Sequence, residues 1–278
     1  MTVREALAWA AGRINPNDRE NGRQAALFLL QEATGLCGAP FYDSLEQQLP
    51  PQALAEFQDY VGRAASGEPV QYILGHWEFY GYRFKTDQRA LIPRPETERL
   101  VEEALRAIPD AQPSDVIDAG CGTGCIGITV KLKRPLIRMT VCDVSREALA
   151  LAGENAASLG ANVKLLQADM RQCIPGGPYD AILSNPPYIN SADMETLPCN
   201  VRCHEPRLAL HGGVDGLDFV RALADRAFDS LKTGGRLLVE IGYDQAERAL
   251  RLMELAGLEA SAIPDYAGIP RVITARKV

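Results

Sequence analysis

The stretch Asp118-Ala119-Gly120-Cys121-Gly122-Thr123-Gly124 connects a predicted strand, residues 115–119, to a predicted helix, residues 125–133. Glycines let a backbone turn sharply and approach a ligand closely, and the first turn of a helix offers unpaired N–H groups. We therefore expect a cofactor beside this loop. Through Gly127 the spacing also matches the dinucleotide fingerprint Gly-x-Gly-x-x-Gly, so the loop by itself leaves an NAD-binding protein open.

Outward from this loop, apolar strands and amphipathic helices alternate toward the C-terminus. The predicted strands are residues 115–119, 138–142, 163–167, 179–184, 236–241, 258–263 and 271–275, and the predicted helices are 125–133, 146–159, 216–231 and 245–256. This alternation predicts an α/β fold with a seven-stranded, mostly parallel, Rossmann-like sheet that has helices on both faces. Ligands of such sheets bind beyond the carboxyl ends of the strands, so the site residues are expected there.

The N-terminal part of the chain has a different pattern. Apolar residues recur with a helical period over residues 1–76, and breaks at 35–40, 50–51 and 66–67 predict a small helical bundle. Aromatic and apolar residues over 79–92 predict a β-hairpin that turns at residues 85–88. We expect a bundle over residues 1–76, a hairpin linker over 77–93 and a catalytic domain over 94–278.

Composition narrows the class of protein. The chain has 278 residues, of which 46% are hydrophobic and 23% charged, and its net charge is −7. These values are typical of a soluble globular protein, and no apolar run approaches the 18 residues of a membrane span. Cysteines without a regular framework, and the lack of a recognisable export signal, predict a cytoplasmic protein. The acidic balance makes nucleic acid a less favourable partner.

Carboxylates follow the next two predicted strands. Asp143, after the second strand, is placed to accept both hydroxyl groups of a ribose, the role of an acidic residue about 20 positions beyond the glycine loop in nucleotide-binding folds. Asp169, after the third strand, could accept from an adenine amino group while Met170 contacts the ring. Aspartates at such positions also serve as helix caps, so each one alone leaves a structural role open.

The turn Asn185-Pro186-Pro187-Tyr188 follows the apolar strand 179–184. Two prolines fix the backbone and remove two N–H donors, so the turn presents carbonyl oxygens and the Asn185 side-chain oxygen as acceptors. A planar NH2 group has two donors to offer, and binding both would orient its nitrogen toward a reactive centre. Tyr188 could stack on the flat substrate.

Residues 118–124 and 185–188 together resemble class I S-adenosylmethionine-dependent methyltransferases that act on a planar exocyclic nitrogen. Other motifs resemble one family within that class, the release-factor glutamine N5-methyltransferases (the PrmC/HemK family). These motifs are residues 71–75, 78–80, 92–98, 205–210, 215–218 and 265–272. The likeness runs over nearly the whole chain, and the motifs outside the methyltransferase core make it specific.

The resemblance implies methyl transfer from S-adenosyl-L-methionine, with S-adenosyl-L-homocysteine as product, to the glutamine of the Gly-Gly-Gln loop in class 1 peptide release factors. It implies a helical N-terminal domain for substrate recognition, and neither a metal, a membrane nor direct nucleic-acid contact. By motif position, the cofactor-binding residues are Gly120, Cys121, Gly122, Thr123, Gly124, Asp143, Asp169, Met170 and Asn185. The implied catalytic residues are Asn185, Pro186 and Tyr188, and the same residues with Pro187 bind the substrate amide. Two departures from the family pattern are His211, where many relatives have an acidic residue, and Met170, where some have an aromatic one.

Several alternatives stay open at this point. A ribosomal-protein glutamine N5-methyltransferase would need the same amide geometry, and a DNA or RNA amino-methyltransferase would share the Asn-Pro-Pro-Tyr turn, although the acidic balance weakens the latter. An NAD-dependent oxidoreductase would share the glycine loop, and a non-catalytic binding module would share the fold. Zinc is disfavoured, because Cys199-x3-Cys203-His204 lacks a second ligand pair at the usual spacing.

Overall fold

The computed structural model describes residues 1–15 and 18–278. Within this part of the chain there are two compact units. The first contains Met1–His76 and Pro198–His204, and the second contains Trp77–Leu197 and Glu205–Val278. Each unit therefore combines segments that are distant in the sequence.

The first unit is helical because its apolar side chains recur every three or four residues. Its first five helices are α1 (Val3–Ile14), α2 (Arg19–Thr34), α3 (Gly38–Asp43), α4 (Pro51–Ala65) and α5 (Val70–Leu74). A capping box starts α1: the Thr2 hydroxyl accepts from the Glu5 N–H, and the Glu5 carboxylate accepts from the Thr2 N–H. Fully buried side chains of Leu29, Phe41 and Phe57 form the centre of this bundle.

The rest of the chain begins with a hairpin and continues with alternating strands and helices. In chain order the elements are β1 (His76–Phe79), β2 (Tyr82–Lys85), α6 (Glu98–Ala107), β3 (Asp115–Ala119), α7 (Cys125–Lys133), β4 (Arg138–Asp143), α8 (Arg146–Leu159), β5 (Val163–Gln167), β6 (Tyr179–Ser184), α9 (Cys199–Arg202), α10 (Asp218–Ser230), β7 (Leu231–Glu240), α11 (Ala246–Leu255), β8 (Leu258–Pro264) and β9 (Pro270–Lys277). Short 3-10 turns cover Pro95–Thr97, Asp193–Glu195 and Arg207–Ala209. No helix within residues 1–15 and 18–278 combines the length and the apolar character that a membrane crossing requires.

Seven strands form one sheet in the order β5-β4-β3-β6-β7-β9-β8. Pairing is parallel from β5 to β7, and β9 pairs antiparallel with both β7 and β8. The predicted α/β fold with a mostly parallel seven-stranded sheet is confirmed. The chain runs outward from β3 through β4 to β5 and then returns to β6 on the other side of β3. This reversal opens a crevice at the carboxyl ends of β3 and β6.

The hairpin turns earlier than the sequence pattern predicted. Its turn lies at Tyr80 and Gly81 instead of residues 85–88, and residues 86–92 do not form a strand. Both turn residues have positive φ, 52° and 76°, which is uncommon for a tyrosine. The Tyr80 N–H donates to Glu98 Oε1 over 2.8 Å, and this contact stabilises the turn against α6. An anchor distant in sequence, rather than the local alternation, therefore sets the position of the turn.

The side chain of Asn155, on α8, fixes both the hairpin and the glycine loop. Its Oδ1 accepts from the Lys85 N–H over 2.7 Å, and its Nδ2 donates to the Lys85 and Thr123 carbonyls over 3.1 and 2.9 Å. Asn155 is fully buried, so these backbone groups have little access to water as a substitute. One amide therefore satisfies three backbone groups of two separate segments.

We predict that Asn155→Asp lowers the free energy of unfolding by about 3 kcal/mol or more, because a carboxylate would face two carbonyl oxygens that lose their donor. Urea unfolding followed by circular dichroism measures this change. The exposed Asn162 provides the matched control, and Asn162→Asp should change stability by less than about 0.5 kcal/mol. Equal stability of the two variants would contradict the role given to Asn155.

Candidate active site

A cavity of about 980 Å³, including its opening to solvent, lies at the carboxyl ends of the central strands. The cavity is lined by residues 89–94, by residues after β3, β4, β5 and β6, and by the segment around Pro206. The sheet therefore brings together loops from four strands, as the switch-point rule predicts.

The glycine loop is held in shape by its own backbone. The N–H groups of Gly120 and Cys121 both donate to the Cys142 carbonyl, over 2.8 and 2.9 Å, and the Gly124 N–H donates to the Cys121 carbonyl over 2.8 Å. The Gly122 N–H donates to Asp143 Oδ2 over 3.0 Å. These four N–H groups are bound within the protein and are therefore not free for a ligand.

Two carboxylates flank the loop, and burial perturbs both. Half-buried Asp143 accepts from the N–H groups of Gly122 and Ser145, over 3.0 and 2.9 Å, and burial raises its pKa despite these bonds. Asp118 is fully buried, and burial raises its pKa to about 7, although its Oδ2 accepts from the Gly127 N–H over 2.9 Å. Its Oδ1 has no hydrogen-bond partner. The cofactor loop is therefore rich in acceptors, which suits hydroxyl groups and a cationic ligand better than an anion.

Asp169 and Met170 also line the cavity. Asp169 binds the guanidinium of Arg171, over 2.8 Å and 3.1 Å, and this contact holds the pKa of Asp169 below its usual range. Met170 is buried, and its Cε lies only 2.3 Å from the position that a Cβ would occupy at Gly120. The close approach explains the need for glycine at position 120, which has a φ of 75°.

The Asn-Pro-Pro-Tyr turn lies at the end of β6. Asn185 and Pro187 line the cavity, and Asn185 Nδ2 donates to Thr97 Oγ1 over 3.0 Å. Pro186 is buried, and Tyr188 is half-buried outside the cavity wall, where burial raises its pKa to about 12. The Tyr188 carbonyl accepts from Gln245 Nε2 over 2.9 Å, which anchors the end of the turn.

An ion pair borders the cavity through Arg94. Glu205, which is 5% exposed, pairs with Arg94, and its Oε2 accepts from the Ile92 N–H over 3.2 Å. The pair joins the segment before α6 to the Glu-Pro-Arg segment more than 100 residues later. Residues 92–98 and residues 205–210 are motifs that only the family resemblance had indicated. The structure brings them into contact with each other beside the cavity.

Sequence reasoning did not select Thr97 and Glu240, which both contact Asn185. Burial raises the pKa of Glu240 to about 7, opposed by hydrogen bonds from the Thr97 and Asn185 side chains. Ser184 pairs with Val239 in the parallel register of β6 and β7, so the next positions along these strands are Asn185 and Glu240. Glu240 could have been selected from the sequence as a carboxylate directly after the apolar residues 237–239 of a predicted strand.

The cysteine pairs that raised the zinc alternative lie in different environments. Cys121 and Cys125 are buried, and burial raises the pKa of both thiols. Cys199 and Cys203 are exposed, with Sγ atoms 3.0 Å apart. Among residues 1–15 and 18–278, no three His, Cys, Asp or Glu side chains form a group that could hold a metal ion.

Comparison with known proteins identifies relatives over almost the entire length. The family model described as "Methyltransferase small domain" matches residues 99–199, and the one described as "PrmC N-terminal domain" matches residues 5–75. A release factor glutamine methyltransferase from Geobacter sulfurreducens is 40% identical over 276 residues, which cover 99% of this chain and 96% of the relative. One from Cereibacter sphaeroides is 41% identical and covers 99% of each chain.

A solved structure shares most of this fold. A methyltransferase from Pyrococcus furiosus aligns with a TM-score of 0.54 at 18% identity, over 72% of this chain and 91% of that chain. At this level of identity the likeness concerns the architecture of the sheet and its helices.

We predict that Gly120→Ala weakens binding of S-adenosylmethionine by about tenfold or more, a change of about 1.4 kcal/mol, because the new methyl group displaces Met170 into the cavity. Isothermal titration calorimetry measures the dissociation constant. Gly268→Ala is the control, because Gly268 also has a positive φ, 83°, but its added methyl would meet nothing within 4 Å. The same affinity in both variants would refute the steric explanation.

Proposed function

Because the chain belongs to the release factor glutamine methyltransferase family, we propose that it methylates the glutamine side chain of the Gly-Gly-Gln loop in class 1 peptide release factors. The position of Asn185 carries this proposal. Its Nδ2 is bound to Thr97 over 3.0 Å at the edge of the cavity, which leaves Oδ1 as an acceptor for a substrate N–H. The reaction belongs in the cytoplasm, where release factors act, and residues 1–76 are assigned to recognition of the protein substrate.

The cofactor is S-adenosyl-L-methionine, which when bound supplies a methyl group already activated by its sulfonium. The residues present fit such a ligand. Asp143 accepts two backbone N–H groups and keeps lone pairs for ribose hydroxyls, while Asp169 and Met170 form the adenine end. The carboxylate of Asp143, which lines the cavity, favours a cofactor with positive charge. Gly120, Cys121, Gly122 and Thr123 line the space for it.

The remaining task of the protein is to orient a poor nucleophile. The lone pair of an amide nitrogen is delocalised into its carbonyl, so attack requires the nitrogen to become partly pyramidal and positive. Asn185 Oδ1 and the Pro186 carbonyl accept from the substrate NH2, and these bonds strengthen as positive charge develops. Orientation of this kind can supply about 7–11 kcal/mol. Pro187 and Tyr188 fix the shape of the turn, and Gln245 binds the Tyr188 carbonyl.

Labelled methyl transfer tests the identity of the substrate. The purified protein is incubated with methyl-labelled S-adenosylmethionine and, separately, with a class 1 release factor, its Gln→Ala loop variant, ribosomal protein and nucleic acid. The proposal expects label on the release factor and none on the Gln→Ala variant. Label on ribosomal protein or nucleic acid alone would replace the proposed substrate.

Asn185→Ala should reduce turnover by about 10²-fold or more while leaving the dissociation constant of S-adenosylmethionine nearly unchanged, because it removes a preorganised acceptor for the substrate amide. Steady-state methylation and calorimetry measure the two quantities. Asn190→Ala is the matched control, since that side chain bonds to Asp193 in the following loop. An equal loss of cofactor binding in Asn185→Ala would contradict the assignment.

A further inference from the structure

The Asn185 side chain is the outer member of a buried group of three polar side chains. Its Nδ2 donates to Thr97 Oγ1 over 3.0 Å, and both side chains lie close enough to Glu240 to lower the pKa of its carboxyl. Thr97 is 2% exposed and Glu240 is 1% exposed, so water has little access to either. The parallel register of β6 and β7 fixes this arrangement, because Ser184 pairs with Val239 one position earlier.

The donors and acceptors that the three side chains can offer fix which atom donates in each hydrogen bond. An ionised carboxylate only accepts hydrogen bonds, so the Thr97 hydroxyl must use its single proton toward Glu240. The Thr97 oxygen then has only lone pairs to offer, and Asn185 must present Nδ2 to it. The Asn185 amide consequently directs Oδ1 toward the cavity.

We propose that Thr97 and Glu240 are positioning residues that fix the orientation of the Asn185 amide, so that Oδ1 and not Nδ2 faces the substrate. The proposal rests on the proposed function, since it concerns how the substrate NH2 is bound. A flipped Asn185 would place its own N–H groups against those of the substrate and leave both without an acceptor. Neither positioning residue needs to touch the reacting atoms.

The charge of Glu240 decides which atoms donate in the hydrogen bonds between Glu240, Thr97 and Asn185, and the surrounding residues influence that charge. Arg271 on β9 favours the ionised form, whereas Glu96 opposes it, and the phenol of Tyr188 also lies near Glu240. Burial is the largest effect and raises the pKa to about 7, while Oε2 has no hydrogen-bond partner. Above pH 7 the carboxylate is ionised and the Thr97 hydroxyl donates to it. Below pH 7 the protonated carboxyl is a weaker acceptor and can itself donate, which releases Asn185 from a single orientation.

Variants at position 97 separate hydrogen bonding from packing. Thr97→Val keeps the shape of the side chain and removes the hydroxyl, and Thr97→Ser keeps the hydroxyl and removes a methyl group. We expect Thr97→Val to lower kcat about tenfold or more with the dissociation constant of S-adenosylmethionine changed less than twofold. Thr97→Ser should keep kcat within about threefold of the parent. Equal losses in both variants, or kcat retained in Thr97→Val, would overturn the proposal.

Glu240→Gln adds a readout that packing alone would not change. In the parent enzyme kcat should fall as the pH decreases below about 7, because a protonated Glu240 no longer holds the Asn185 amide in a single orientation. In Glu240→Gln this dependence should disappear, with kcat lower at pH 8. An unchanged pH dependence in the variant would show that another group titrates and would refute the role of Glu240.

One measurement is independent of the identity of the substrate. Solvent exchange of the Asn185 side-chain N–H groups, followed by NMR, should be slow in the parent and in Thr97→Ser and fast in Thr97→Val. If exchange follows this pattern while the release factor receives no label, the proposed function fails and the inference stands. If the release factor is labelled and exchange is the same in all three proteins, the inference fails and the proposed function stands.

Discussion

The parallel register of the central strands is the constraint on which the site depends. Because β3, β4, β6 and β7 run in the same direction, the residues at their carboxyl ends meet at one edge of the sheet. Asp118, Asp143, Asn185 and Glu240 come from these four strands or from the residues directly after them. A shift of one residue in the pairing of β6 with β7 would move Asn185 away from Glu240 and turn alternate side chains to the other face.

The site includes buried charge, which opposes folding. Burial raises the pKa of both Asp118 and Glu240 to about 7. In the unfolded chain each carboxyl ionises near its ordinary value, so the folded state holds more protons between that value and pH 7. Stability is therefore lost as the pH rises through this window, and the loss is complete above it. A fold that keeps two such groups beside one cavity sacrifices stability for a defined polar environment.

The fold could be predicted from the sequence much more completely than the site. Apolar segments located all seven strands, most directly β3, β4 and β6, whose side chains are mostly buried between the two faces of the sheet. They misplaced the hairpin turn, which depends on a hydrogen bond from Tyr80 to Glu98 on another element. The Asn-Pro-Pro-Tyr turn was visible because proline chemistry is local. Thr97 and Glu240 were not, since their role arises from contacts across the sheet that no local pattern encodes.

The single amide of Asn155 links the end of the hairpin to the glycine loop. It holds the end of the hairpin through Lys85 and the glycine loop through the Thr123 carbonyl. Opening either region breaks part of the same set of bonds, so the two regions belong to one cooperative unit of local unfolding. A small molecule that binds the glycine loop in this conformation thereby also stabilises the hairpin, by linkage and without touching it.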